Sequence, residues 1–245
     1  MRKLLLLTAM FSPLALADSL SVEPHTVLRL AGKASSVHLE RVEVADSATL
    51  ILPASLVDLK IDQLQLGRDA RISVVPAEDG LRIDVVRADL AEGSLITATG
   101  MAGTYERAAK PGRNLDLRLQ QLQAPLLSID ARGGTGAPGY AGLDGGNGQA
   151  GGCTWGSASR GANGDNGGDG HNGSAGGRVR LALPADYPAE QIKVRLEGGA
   201  PGKAGAAGKA GQGGASKGCL VYRTEAGAGR RAGLAGQAGG AGGGG

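Results

Sequence analysis

Leu59-Lys-Ile-Asp-Gln-Leu-Gln-Leu66, then Gly67-Arg-Asp69, then Ala70-Arg-Ile-Ser-Val-Val75-Pro76, is the stretch that decides how the first half of the chain folds. Apolar and polar residues alternate on both sides of a short polar turn. Period-two alternation over runs of this length marks strands with one buried and one wet face. The plan recurs on either side. Val37 to Val44 is followed by Ala48 to Pro53, Leu81 to Val86 leads through Leu90 to Ser94–Ala98, and Leu115 to Leu119 leads through Leu122 to Leu126–Asp130. Laid on one another, Val44, Leu66, Leu90 and Leu122 coincide at spacings of 22, 24 and 32, the last stretched by an insert around Met101–Arg113. A unit this small cannot bury its own apolar side, so successive units must stack. The expectation is a β-solenoid of about four coils over residues 18–132, with a small antiparallel sandwich as the alternative. Asp62, Arg68, Asp69 and Arg71 read as a solvated face. The open strand edges of such a stack need covering, and the glycine-rich half that follows is a candidate cover.

Upstream, Arg2 and Lys3 precede an apolar run from Leu4 to Leu16, and Ala15-Leu16-Ala17 forms a small-x-small cleavage signal. Residues 1–17 therefore read as a secretory signal peptide. The run falls short of the roughly 20 residues needed to cross a bilayer, and no later stretch reads as membrane-spanning. The chain is expected to be exported: periplasmic, extracellular or held at the cell surface. Its formal charge of +3 is too mild to point to nucleic acid.

Downstream the pattern changes. Glycine, 45 of 245 residues, falls on 133, 136, 139, 142, 145, 148 and 151, is interrupted from Thr154 to Arg160, and resumes on 161, 164, 167, 170, 173 and 176. Strand-like segments follow at 178–184 and 191–197. A second copy then places glycine on 199, 202, 205, 208, 211 and 214, turns through Gly218-Cys219-Leu220-Val221-Tyr222, and returns on 227 and from 233 to 245. A backbone with three residues per turn and one bare face is polyproline II. A collagen triple helix needs abundant proline, and only Pro138 and Pro201 lie within the triplets. The runs also fold back on themselves. The expected architecture for 133–245 is thus a bundle of polyproline-II helices within one chain, built from hairpins 133–178 and 198–245. That favours a monomer, with a collagen-like trimer as the alternative.

Export favours a disulfide between the two cysteines, Cys153 and Cys219. Free thiols or intermolecular bridges are the alternatives. Both cysteines end an outgoing run, which places them at the far tip, with Trp155, Arg160, Tyr222 and Arg223 close in sequence. The tip residues read either as an apolar plug on the disulfide or as a contact for a polysaccharide or surface receptor. Charge divides between the hairpins. The first holds Asp144, Asp165 and Asp169 against Arg160. The second holds Lys203, Lys209, Lys217, Arg223, Arg230 and Arg231 against Glu225. The basic copy suits anionic polysaccharide.

These in-register glycine runs, folded back and tied by cysteines, resemble the polyglycine-II bundle proteins, such as the snow flea antifreeze protein and the glycine-rich tips of phage tail-fibre adhesins. The resemblance implies a rigid, non-catalytic scaffold that binds through a flat face or its tip loops. It transfers no binding residue. The mixed outer positions also differ from a uniformly small ice-binding face. Gly167-Gly-Asp-Gly-His-Asn-Gly-Ser-Ala175 falls short of a calcium β-roll repeat, with Asn172 and Ser174 where that motif needs Asp and an apolar residue. His25, His38 and His171 are scattered, so no metal or cofactor is expected. No nucleophile elbow or zinc-protease motif is present. The function expected is a non-enzymatic structural or adhesive one.

Overall fold

The computed structural model describes residues 19–154 and 156–245. The expected signal peptide and Trp155 lie outside the described residues. Twelve strands follow in chain order: β1 (Ser19–Val22), β2 (Val27–Arg29), β3 (Ser36–Val44), β4 (Thr49–Leu52), β5 (Asp58–Leu66), β6 (Arg71–Val74), β7 (Leu81–Leu90), β8 (Leu95–Thr97), β9 (Leu115–Gln123), β10 (Leu127–Asp130), β11 (Val179–Ala182) and β12 (Ile192–Arg195). Odd strands form one six-stranded sheet and even strands the other, and all strand pairings are parallel. The chain thus passes from one sheet to the other and back, and each odd–even pair makes one rung.

This corrects the expected fold class. The regular structure of the described residues is parallel strands in two sheets plus one 3-10 turn, Ala189–Gln191. Among the described residues no bundle of polyproline-II helices follows the strands. The parallel pairings also exclude an antiparallel sandwich, and each sheet is six strands deep, not about four. The extra rungs come from β1 and β2, and from β11 and β12, which the first glycine hairpin separates from the rest. The glycine rhythm marks lateral contact between backbones rather than a helix class. A Cβ on Gly139 would overlap the carbonyl of Gly168, and one on Gly205 that of Tyr140.

The interior lies between the sheets. Leu39, Ile61, Val85 and Leu119 form one inward ladder, and Val42, Leu64, Ala88 and Leu122 another. Leu122 therefore stacks on Val42, two residues from its expected place above Val44. The slip is even, so the apolar face is kept. In each long odd strand the alternation breaks once. Glu40-Arg41, Asp62-Gln63, Val86-Arg87 and Gln120-Gln121 all face outward in succession, and Glu40 does not pair with Asp62. That phase shift bends the sheet along one line.

At the corner leading into the even strands, His25, Ser47, Asp69 and Gly93 stack in equivalent places with φ of 58°, 57°, 55° and 76°. Only the fourth is glycine. At the opposite corner, Arg113 is fully buried. Its guanidinium donates to the carbonyls of Pro53, Ala54 and Leu56 in one rung and of Val75 and Asp79 in the next. Burial pulls its pKa below the ordinary arginine value, opposed by the charge of Asp79. In the last rung the turn between β11 and β12 is tied down by Tyr187, whose hydroxyl donates to Ala124 O and Gln191 O.

Candidate functional site

The corner held by Arg113 lengthens along the stack. It spans 30–35, 53–57 and 75–80 in the early rungs, then 98–114, then 131–178, and after β12 it runs to 245. These long corners form the glycine half. Gly100 and Gly103 donate to the carbonyls of Arg132 and Thr135 at 2.8 Å each. Gly136, Gly139, Gly142, Gly145 and Gly148 donate in turn to Ala200, Lys203, Ala206, Lys209 and Gln212. The return run joins the same lattice. Gly202, Gly205, Gly208 and Gly211 donate to His171, Gly168, Asp165 and Ala162 at 2.9 Å each. One backbone bond per triplet, repeated between neighbouring runs, holds the arm together without a core.

A second set of bonds comes from Asn and Asp side chains. Asp144 and Asn147 Oδ1 accept from the N–H groups of Lys209 and Gln212 at 2.8 and 2.9 Å. Asn163, Asn166, Asp169 and Asn172 Oδ1 accept from Arg231, Leu234, Gln237 and Gly240. The sequence shows the signal for this ladder: each of these residues directly precedes a register glycine. Asp144 and Asp169, which carry part of the first hairpin's charge, are ladder acceptors.

The runs end in the disulfide-bridged tip. Cys153 and Cys219 are bonded, with Cα atoms 5.6 Å apart, so neither of the alternatives holds. The chain from Lys217 to Thr224 is a miniature antiparallel finger. Lys217 N–H donates to Thr224 Oγ1, Thr224 N–H to Lys217 O, and Cys219 N–H to Tyr222 O at 2.8, 2.9 and 2.7 Å. Gly218 bridges Arg223. Leu220 and Val221 form the apex and are 104% and 90% exposed. Tyr222, about half exposed, donates its hydroxyl to Cys153 O.

The structure thus joins Cys153, Cys219 and Tyr222 in one tip. Arg223 lies on the finger stem, and Arg160 is exposed where the first return run begins. Lys217, Leu220 and Val221 complete the tip beyond the residues expected there. A Leu-Val pair at a two-residue turn, where glycine, asparagine or aspartate is usual, is the signal that could have pointed to the last two.

A second feature lies on the outer face of the odd sheet, beyond its bend. Gln63, Gln65, Arg87, Asp89, Gln121 and Gln123 line an open groove of about 240 Å³ over Leu64 and Ala88. Their side chains make no hydrogen bond or ion pair among the described residues. Before the bend the neighbouring columns are paired, as in Arg82–Asp116 and Arg118–Asp84. No group of three or more metal-ligating side chains occurs among the described residues. No helix among them is long and apolar enough to cross a membrane.

Comparison of the chain with protein-family models, with curated proteins and with solved structures finds no match. The resemblance to glycine-bundle proteins gains nothing from these comparisons.

Proposed function

We propose that the protein is an exported, non-enzymatic structural and adhesive component. The strand stack serves as its base, the glycine runs as a stiff arm, and the disulfide-bridged tip as the contact for surface attachment or matrix assembly. The observation that carries this reading is the finger at Lys217–Thr224, pinned by Cys219 and Tyr222 onto Cys153 with its apex in solvent. Order that is expensive to build at the far end of an arm suits presentation. Loss of backbone entropy makes a glycine-rich segment costly to hold. The test compares adsorption of the labelled mature chain to whole cells and extracellular matrix with that of a chain whose 218–223 segment is replaced by Gly and Ser. Adsorption lost in the variant, with unchanged circular dichroism, supports the reading; equal adsorption removes it.

The amide partners of the register glycines lie within one chain, which favours a monomer over a collagen-like trimer. Sedimentation under non-reducing conditions separates the two. A second reading, polysaccharide binding, has its own support in the unpartnered groove. Its amides and balanced charges offer paired donors and acceptors to a hydroxyl-rich, uncharged chain.

A further inference from the structure

We infer that the tip finger is a lipid anchor: Leu220 and Val221 enter the interface of an anionic bilayer while Lys217 and Arg223 hold its phosphate headgroups. This rests on the reading of the tip as the contact surface and names its partner.

Four observations converge. The apex residues are the most exposed large hydrophobics of the described chain, at 104% and 90%. They lie at a tight turn closed by the Cys219 N–H bond to Tyr222 O at 2.7 Å, so they project together. Turn chemistry does not call for them, since such turns are served by glycine, asparagine or aspartate. The cations lie on both strands of the stem just behind the apex, Lys217 on one and Arg223 on the other, while Glu225 falls outside the finger. Apolar residues leading and basic residues following is the charge arrangement of segments that dip into anionic interfaces.

The alternatives fit less well. A stable protein interface buries roughly 800 Å² on each side, and two side chains on a convex turn present far less. An aliphatic pair offers nothing to the hydroxyls of a glycan. A bilayer interface needs no complementary pocket. The clip also matters, because a finger already ordered by the Cys153–Cys219 bond and by Tyr222 loses little further freedom on insertion.

The experiment is co-flotation of the full mature chain with phosphatidylcholine vesicles, with and without about 30% phosphatidylglycerol. Two variants run beside it: Leu220→Ser with Val221→Ser, and Lys217→Glu with Arg223→Glu. Both alter exposed side chains, so the sheets persist by circular dichroism. Binding should appear only with phosphatidylglycerol, weaken as salt rises, and fall at least about ten-fold in each variant. Absence of vesicle binding, or binding that survives either variant, overturns the lipid assignment. If cells are still bound in a finger-dependent way, the tip remains the contact and only its lipid partner is wrong. If neither vesicles nor cells are bound, both readings fall.

Discussion

Arg132 grips Asp130 where β10 ends and the first glycine run begins, with Nε 2.9 Å from Oδ1 and Nη2 2.7 Å from Oδ2. Arg195, one rung away in register with Asp130, adds its charge at 3.9 Å. Burial raises the Asp130 pKa, but the hydrogen bonds and charge of Arg132, with the charge of Arg195, outweigh it and hold the carboxyl below its ordinary value. A depressed folded pKa stabilises above the unfolded value of about 3.9 and stops doing so as pH falls through the folded one. Asp130→Asn should therefore cost about 2 kcal/mol at neutral pH and flatten the loss of stability below pH ~4. Urea melts at several pH values check this. An unchanged acid limb would assign that limb to other carboxylates.

Register glycines and free glycines should respond oppositely. A Cβ at Gly139 or Gly205 would overlap a neighbouring carbonyl, whereas Gly243 has nothing within 4 Å. Gly139→Ala and Gly205→Ala should each cost roughly 3 kcal/mol or more, because backbone cannot yield as a side chain can. Gly243→Ala should lie within about 0.5 kcal/mol of the parent. Thermal melts of the three variants decide the matter.

The Cys153–Cys219 bond spans a sequence separation of 66, for which the chain-entropy argument gives about 4 kcal/mol. Much of that effect should be local. Reduction, or Cys153→Ser with Cys219→Ser, should speed amide exchange across 149–160 and 214–227 and leave β3 to β10 protected. Exchange that rises equally in the sheets would show that the tip and the base open as one unit.

Four Asn-Gly pairs lie in the ladder: Asn147, Asn163, Asn166 and Asn172. Deamidation requires the following glycine nitrogen to attack the side-chain carbonyl carbon, expelling ammonia. Water then opens the resulting ring to aspartate or isoaspartate. Here Gly148, Gly164, Gly167 and Gly173 N–H groups donate to Gln212, Arg231, Leu234 and Gly240 at 2.7, 3.1, 2.8 and 2.9 Å. Native protein should deamidate at least about ten-fold more slowly at these sites than unfolded protein, because reaction must wait for local opening. Peptide mapping after alkaline incubation measures the ratio.

Much of the strand half was legible because burial dictates its residues. Leu59 with Ile61, and Leu64 with Leu66, show their inward face by alternation on either side of one break. The bend at Asp62-Gln63 is written in the same letters, as two polar residues in succession, but a search for period two passes over it. Arg113 was illegible, since five carbonyl acceptors from two rungs leave no trace near it in sequence. Asp69 at φ 55° was equally hidden, because the corner it occupies takes His, Ser, Asp or Gly. β11 and β12 were visible as strands, yet their partners lie across a glycine run. In that run the three-residue rhythm gave the contact spacing and the folding back, while the backbone class read from it was wrong. At the tip, Cys153, Cys219 and Tyr222 were found by their place at the run ends. Leu220 and Val221 were passed over because exposure cannot be read from two apolar letters.

The lengthening corner has a consequence for how such an arm can change over generations. A deletion of one or two residues in any run moves every later glycine of that run off its contact and sets a side chain against a neighbour's carbonyl. Loss of a single triplet from one run leaves its partners overhanging, and from either outgoing run it also shears Cys153 away from Cys219. A tolerated change in reach must remove or add one triplet at the same level in all four runs together. The arm's length is therefore quantised, and the base that carries it can drift in sequence without altering how far the finger stands from the ends of β10 and β12.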